Sequence, residues 1–310
     1  MADIAFLFPG QGSQFAGMGK LLAEQYPAAR RAFEEADEAL QFPLSRLCFE
    51  GPEEELRRTE NTQPALLTVS VAAHRVLAEA GVEARLVAGH SLGEYSALVA
   101  AQALDFPDAV RLVRKRGRYM QEAVPEGVGA MAAVLKLPEG ELVGILERAA
   151  QGEVVAAANL NSPEQVVIAG HAAAVERAMT LATAAGARRV KLLAVSAPFH
   201  SPLMQPAQQR LKADLEATRF QDLTIPLINN WQACEITKAE EAREGLYQQI
   251  PNAVRWTDTV RALAERGIQS VVEVGPGTVL LGLVRGVAPS IKGFKFGEPA
   301  DLEKLKNALA

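Results

Sequence analysis

Short all-apolar runs alternate along this chain with longer stretches in which apolar residues return every three or four positions. The run from Ile4 to Phe8 is apolar throughout and is ended by Pro9 and Gly10, which predicts a strand covered on both faces and then a glycine-containing loop. From Leu21 to Leu40, and again from Pro64 to Ala80, apolar residues recur at helical spacing with Glu and Arg on the other positions, so amphipathic helices are predicted. Leu86 to Ala88 predicts a short strand, and Glu94 onward a helix with Tyr95, Leu98 and Val99 on one side.

Residues 128–193 have a different rhythm. "VGAMAAVLKL" is strand-like, "PEGELVGILERAA" helical, "EVVAAANL" and "QVVIAG" strand-like, "AAAVERAMTLATAAG" helical and "RRVKLLAV" strand-like. That βαββαβ order is the order of a ferredoxin-like unit, small enough to be an insertion. After it the mixed pattern resumes and closes with the strand "SVVEVG" and the turn and helix of "PGTVLLGLVRG". Alternating strands and helices imply an α/β protein with a mostly parallel sheet covered on both faces. The expected division is a large subdomain of residues 1–127 and 194–310 around a small one of 128–193.

The chain's 310 residues, 49% hydrophobic and 22% charged, allow a large core and exclude disorder. A net charge of −5 argues against a nucleic-acid partner, which would need a basic face. Cys48 and Cys234 lie far apart without CxxC spacing, so neither a disulfide framework nor a zinc site is expected, and no metal or redox cofactor is implied. The N-terminal apolar run is short and preceded by an acid, unlike a signal sequence, and no apolar stretch approaches the roughly 18 residues of a membrane span. A soluble, cytoplasmic protein is expected.

Ser91 stands between Gly89 and Gly93 in "LVAGHSLGEYSALVA", where a predicted strand turns sharply into a predicted helix. Such a turn lifts the hydroxyl out of the sheet, and the helix N-terminus aims backbone N–H groups at an acyl oxygen. The plain alternative is that Ser91 only caps the helix. A serine needs a base, and the chain has four histidines. His90 is expected to pack or hydrogen-bond locally, and His74 and His171 to be structural or exposed. His200, in "LLAVSAPFHSPLM", sits where a strand ends in a proline-bracketed loop, and strand ends of parallel sheets are where such sites assemble.

Five stretches in order, "FPGQGSQ", "GHSLGEYSAL", "RGRYMQ", "VSAPFHSPLM" and "VEVGPG", resemble the malonyl-CoA:acyl-carrier-protein transacylases of bacterial fatty-acid synthesis, over about residues 4–286. The resemblance implies an α/β-hydrolase-like large subdomain with the ferredoxin-like insertion, and a site in the cleft between them. It implies Ser91 as the acylated nucleophile and His200 as its base, then acid. It implies the backbone N–H groups of Gln11 and Leu92 as the oxyanion hole, and a backbone carbonyl near Gln249 orienting the histidine in place of an aspartate. No acidic third member is expected.

Ser and His alone would serve an esterase equally well. Arg116 is the residue that can recognise malonyl, because a guanidinium meets a carboxylate with two parallel N–H bonds. Arg111, Arg114, Lys115 and Arg118 around it read mainly as a solvated helix face, although some of them, with Arg188, Arg189 and Lys191, could attract coenzyme A phosphates or an acidic carrier protein. Phe199 matches malonyl-selective relatives, where a ring would crowd an α-methyl group, or is a core aromatic. Asn159 and Asn161 resemble positions that face the cleft, or cap a turn. The expected activity is malonyl transfer to acyl carrier protein by a ping-pong route, in a monomer that binds malonyl-CoA, coenzyme A and acyl carrier protein. The alternatives are a stand-alone acyltransferase of polyketide synthesis or of a malonate decarboxylase, a serine thioesterase, and a non-catalytic carrier-protein-binding subunit.

Overall fold

The computed structural model describes residues 3–195 and 197–309. Ser196, inside one of the quoted stretches, therefore lies outside the described residues. The chain begins with β1 (Ile4–Phe8) and passes through α1 (Lys20–Gln25), α2 (Pro27–Leu40), α3 (Leu44–Glu50), α4 (Glu53–Arg57) and α5 (Thr59–Glu79) before β2 (Leu86–Gly89), α6 (Gly93–Ala100) and α7 (Phe106–Glu122). The helix expected over Leu21–Leu40 is thus two helices. Tyr26 takes an extended conformation ahead of Pro27, whose ring disfavours a helical residue before it. Pro64 does not begin α5 but lies inside its first turns, where Thr59 and Glu60 already form the helix.

Next come β3 (Gly129–Leu135), α8 (Glu141–Ala150), β4 (Val155–Ser162), β5 (Gln165–His171), α9 (Ala172–Ala184) and β6 (Arg189–Leu192). The four strands form their own antiparallel sheet in the order β4-β5-β3-β6. Ala132, Val134, Ile145, Ala149, Ile168, Val175 and Ala178 make a separate core between this sheet and its two helices. Met131, Val167 and Ala169, on the opposite face of the sheet, join the main core instead. Strand alternation therefore welds the small unit to the large one.

The chain then runs through α10 (Gln205–Ala217), β7 (Leu227–Ile228), β8 (Glu235–Ile236), α11 (Ala239–Gln249), α12 (Trp256–Glu265), β9 (Ser270–Val274), α13 (Val279–Val287), β10 (Lys292–Phe296) and α14 (Leu302–Leu309). It does not close at the helix after "SVVEVG": a further strand and helix follow. The main sheet has the order β10-β9-β1-β2-β7-β8, parallel except for β8, which returns beside β7 as an antiparallel edge. Ile4, Phe6 and Phe8 of β1 enter one core, while Ala5 and Leu7 enter the other with Trp256, so the central strand is apolar on both faces. Phe8 and Gly89 sit side by side in the register of β1 and β2, which brings the loops after both strands to one end of the sheet. No helix among the described residues is long and apolar enough to cross a membrane.

Candidate active site

Ser91 occupies the turn between β2 and α6 with φ 52°, in the left-handed region that side chains with a Cβ seldom adopt. Two packing contacts hold the turn. A Cβ on Gly89 would overlap the backbone of Gly93, and a Cβ on Gly93 would overlap the carbonyl oxygen of Phe8 at the end of β1. The two glycines of the motif are thus required by the approach of one turn to itself and to the neighbouring strand. The backbone N–H of Ser91 donates to Oδ1 of Asn230 at 2.7 Å, and Nδ2 of Asn230 donates to the carbonyl of Gly89 at 2.7 Å, so a single asparagine braces both sides of the bend.

His200 arrives from the other direction along the chain. Its preceding strand, β6, belongs to the antiparallel sheet and not to the parallel one; the segment after Leu192 carries the chain back to the main body. There His200 also takes a positive φ, 56°, in a bend where the Ser201 hydroxyl donates to the carbonyl of Pro198 at 2.7 Å. Nε2 of His200 lies 2.7 Å from Ser91 Oγ. Its Nδ1 lies 2.9 Å from the backbone carbonyl of Gln249, the last residue of α11. The carbonyl at a helix end lacks an intrahelical partner and carries the negative end of the macrodipole, so it accepts Nδ1–H and favours positive charge on the ring. Since Nδ1 donates there, Nε2 is left as the acceptor for the serine proton. Burial first, and then the charge of Arg116, lower the His200 pKa from 6.5 to about 3, so the ring is neutral and able to take a proton.

Arg116, on α7, has only 1% of its surface exposed. It donates from NH1 to Gln63 Oε1 at 2.7 Å, and from NH2 to Gln249 Oε1 at 2.8 Å and Ser91 Oγ at 3.3 Å. Its Nε has no partner, and among the described residues no carboxylate stands within salt-bridge distance of it. The guanidinium is therefore a buried cation facing neutral amides, an arrangement completed by an incoming anion. Its neighbours are indeed peripheral: Lys115 pairs with Asp214 at 2.6 Å, Arg111 with Asp108 at 2.6 Å, and Arg114 lies over the Phe42 ring.

Ser91, Leu92, Gln11, Arg116, His200, Phe199, Asn159 and Gln63 line one cavity of about 130 Å³. Of the residues expected at the acyl site, the structure thus brings Ser91, His200, Arg116, Gln11, Leu92, Phe199 and Asn159 to one cavity, while Gln249 stands behind it and Asn161 lines the larger cavity beside it. A larger cavity of about 880 Å³ adjoins it, sharing Gln11, His90 and Asn159 and reaching Lys136, Arg188 and Arg189 of the small sheet. Asn159 is fixed by the stitching of β4 to the main body, where Leu160 N–H donates to the Val254 carbonyl and Val254 N–H to that of Ala158, both at 2.9 Å. His90 hydrogen-bonds Asn161 Oδ1 at 2.8 Å and tilts against Trp256. His74 is wedged between the edges of Phe6 and Phe8, and His171 accepts the Val154 N–H, so neither reaches the cavity. Among the described residues no group of three or more His, Cys, Asp or Glu is placed to hold a metal ion.

Three buried residues around the site carried no signal of their own in the sequence reading: Gln63, Asn230 and Glu94. Glu94 is an acid near the pair but not a third member of it: His200 Nδ1 meets the Gln249 carbonyl, and Glu94 meets the Gln249 side chain. It is fully buried, and burial raises its pKa to about 7 against the opposing hydrogen bonds of Gln249 and Asn230 and the charge of Arg116. A glutamate in a first helical turn reads from sequence as a solvated, dipole-favoured charge, which is why Glu94 does not stand out there.

A hydroxyl on a strained strand-to-helix bend, within hydrogen-bonding reach of a neutral imidazole, suits the making and breaking of acyl bonds; fold and site together define a serine-dependent acyl-transfer enzyme. The chain belongs to the acyl transferase domain family, which it matches over residues 5–295. It is 49% identical over 304 residues, 98% of this chain and 96% of the relative, to a malonyl CoA-acyl carrier protein transacylase of Bacillus subtilis strain 168. Among solved structures, an acyl carrier protein S-malonyltransferase from Vibrio cholerae superposes with TM-score 0.96 at 44% identity, covering 98% of this chain and all 100% of that one. A type II PKS acyl-carrier protein in complex with its malonyl-transacylase also superposes, with TM-score 0.96 at 46% identity, covering 98% of this chain and 99% of the other.

Proposed function

We propose that this protein moves the malonyl group of malonyl-CoA to the phosphopantetheine thiol of an acyl carrier protein, in fatty-acid biosynthesis, through a malonyl ester on Ser91. The observation that carries this reading is the buried Arg116 guanidinium, 3.3 Å from the Ser91 hydroxyl and without a carboxylate partner. The free carboxylate of malonyl stands two bonds from the carbon under attack, so a cation beside the nucleophile is where that carboxylate falls. Acetyl offers it nothing.

In the first half-reaction Ser91 Oγ gives its proton to His200 Nε2 and bonds to the thioester carbon. The carbonyl electron pair moves to oxygen, where the N–H groups of Gln11 and Leu92 face it. As the carbonyl re-forms, the C–S bond breaks and the coenzyme A sulfur takes the proton from His200. In the second half the carrier thiol gives a proton to His200 and its sulfur attacks the ester carbon. Ser91 leaves as the alkoxide and regains the proton. The larger cavity accommodates the pantetheine arm that both substrates share, and Arg188 and Arg189 on its wall suit phosphates or an acidic carrier surface.

The test is intact-mass measurement after mixing with a panel of acyl-CoAs and no carrier protein. A stable adduct of one malonyl group on Ser91, formed in preference to acetyl, is expected. Steady release of free malonate without an adduct would establish hydrolysis instead.

A further inference from the structure

Glu94 makes no contribution to the chemistry just described, yet the groups that do are all seated on its partners. Its Oε2 accepts the backbone N–H of Asn230 at 3.0 Å and Nε2 of Gln249 at 2.7 Å. Asn230 braces the backbone of Ser91. Gln249 presents its main-chain carbonyl to His200 and its side-chain Oε1 to Arg116. Two arms therefore leave one carboxylate oxygen, one toward the nucleophile and the other toward both the base and the guanidinium.

We infer that Glu94 is a positioning residue for acyl selection: by offering only acceptors to the Gln249 amide nitrogen, it holds the amide oxygen toward Arg116 and so aims the guanidinium at the acyl carboxylate. The inference deepens the proposed transfer and rests on it. A primary amide has a donor end and an acceptor end, whereas a guanidinium only donates. With Nε2 held by Glu94, by the Ser91 carbonyl at 3.0 Å and by Asn230 Oδ1 at 3.3 Å, Oε1 is the end left for Arg116. A neutral amide at position 94 can donate as well as accept, which removes the constraint. Gln249 can then turn over, its NH2 meets the guanidinium donor to donor, and Arg116 is displaced from the place where malonyl needs it. In a fully buried network such a mismatch is not relieved by water. The second oxygen of Glu94, Oε1, has no hydrogen-bond partner, so the carboxylate acts on this network through Oε2 alone.

The experiment is Glu94→Gln, checked for folding by circular dichroism, with single-turnover loading of Ser91 by malonyl-CoA and by acetyl-CoA compared with the wild type. Malonyl loading is expected to slow by about ten-fold or more, the scale of one hydrogen bond to a charged group. Acetyl loading, which does not use Arg116, slows less, so the malonyl preference narrows. A merely structural role would slow both alike. Glu94→Asp, still acceptor-only, should retain more of the preference than Glu94→Gln. If Glu94→Gln does not fold, Gln249→Met, which removes the amide but leaves the main-chain carbonyl to His200, must narrow the preference in the same way. An unchanged malonyl-to-acetyl ratio in the folded variant overturns the positioning role. Absence of any malonyl adduct on the wild type would overturn the transfer reading, and this inference with it.

Discussion

Replacing Arg116 by alanine separates the recognition of the acyl group from the chemistry at Ser91. In the resting site the guanidinium satisfies Gln63 Oε1 at 2.7 Å and Gln249 Oε1 at 2.8 Å; its removal leaves two buried acceptors bare, at about 1–3 kcal/mol each. A lower Tm is therefore expected alongside any kinetic effect. For malonyl the variant also forfeits a charge-assisted contact worth roughly 1.5–3 kcal/mol, or about ten- to a hundred-fold in loading rate. Acetyl-CoA has no carboxylate to lose. It benefits instead from a more basic His200, since the charge of Arg116 is second only to burial in depressing that ring. The ratio of malonyl to acetyl loading should thus fall by one to two orders of magnitude. Mixing the protein with equal concentrations of both donors, quenching within one turnover and weighing the intact chain reads the ratio directly. A folded Arg116→Ala with the wild-type ratio would refute the carboxylate role.

Ser91→Ala should yield no adduct with malonyl-CoA by intact mass, and an adduct at the same mass would place the nucleophile elsewhere. His200, at about 3 in the fold against 6.5 unfolded, takes up its proton first in the unfolded chain as pH falls, so stability drops between 6.5 and about 3. His200→Gln, which lacks the group, should lose less over that window in melting experiments, and equal losses would contradict the burial argument. Gly93→Ala drives a methyl into the Phe8 carbonyl and should destabilise by about 1–3 kcal/mol or more in urea titration; a neutral result would mean that the turn can relax. Arg189→Glu should raise the KM for carrier protein and flatten its salt dependence without altering the acyl preference, and an unchanged KM would remove Arg189 from the docking surface.

The small sheet was readable because each of its strands and helices carries its own periodic run, bounded by glycine or proline, between residues 129 and 192. The order of the main sheet was not, since nothing local in Ser270–Val274 says that β9 lies across β1 from β2. The short helices α3 and α4 hold too few turns for a period to show, and they are separated by Gly51 and Pro52. At the site, Ser91, His200 and Arg116 were legible through residue chemistry and the motif context. Glu94, Asn230 and Gln63 were not, because a buried polar residue is defined by what tertiary folding places opposite it. Gln249 was legible only as a neighbourhood, and the structure assigns the carbonyl to that residue itself.

The contact between Ser91 Oγ and His200 Nε2 joins positions 109 residues apart, on either side of the entire four-stranded insertion. Neither half of the chain holds a competent pair, so the reactive contact exists only when the segments on both sides of the insertion are packed against one another. A break of the chain inside the insertion would leave the nucleophile and its base on separate pieces, joined only by tertiary packing.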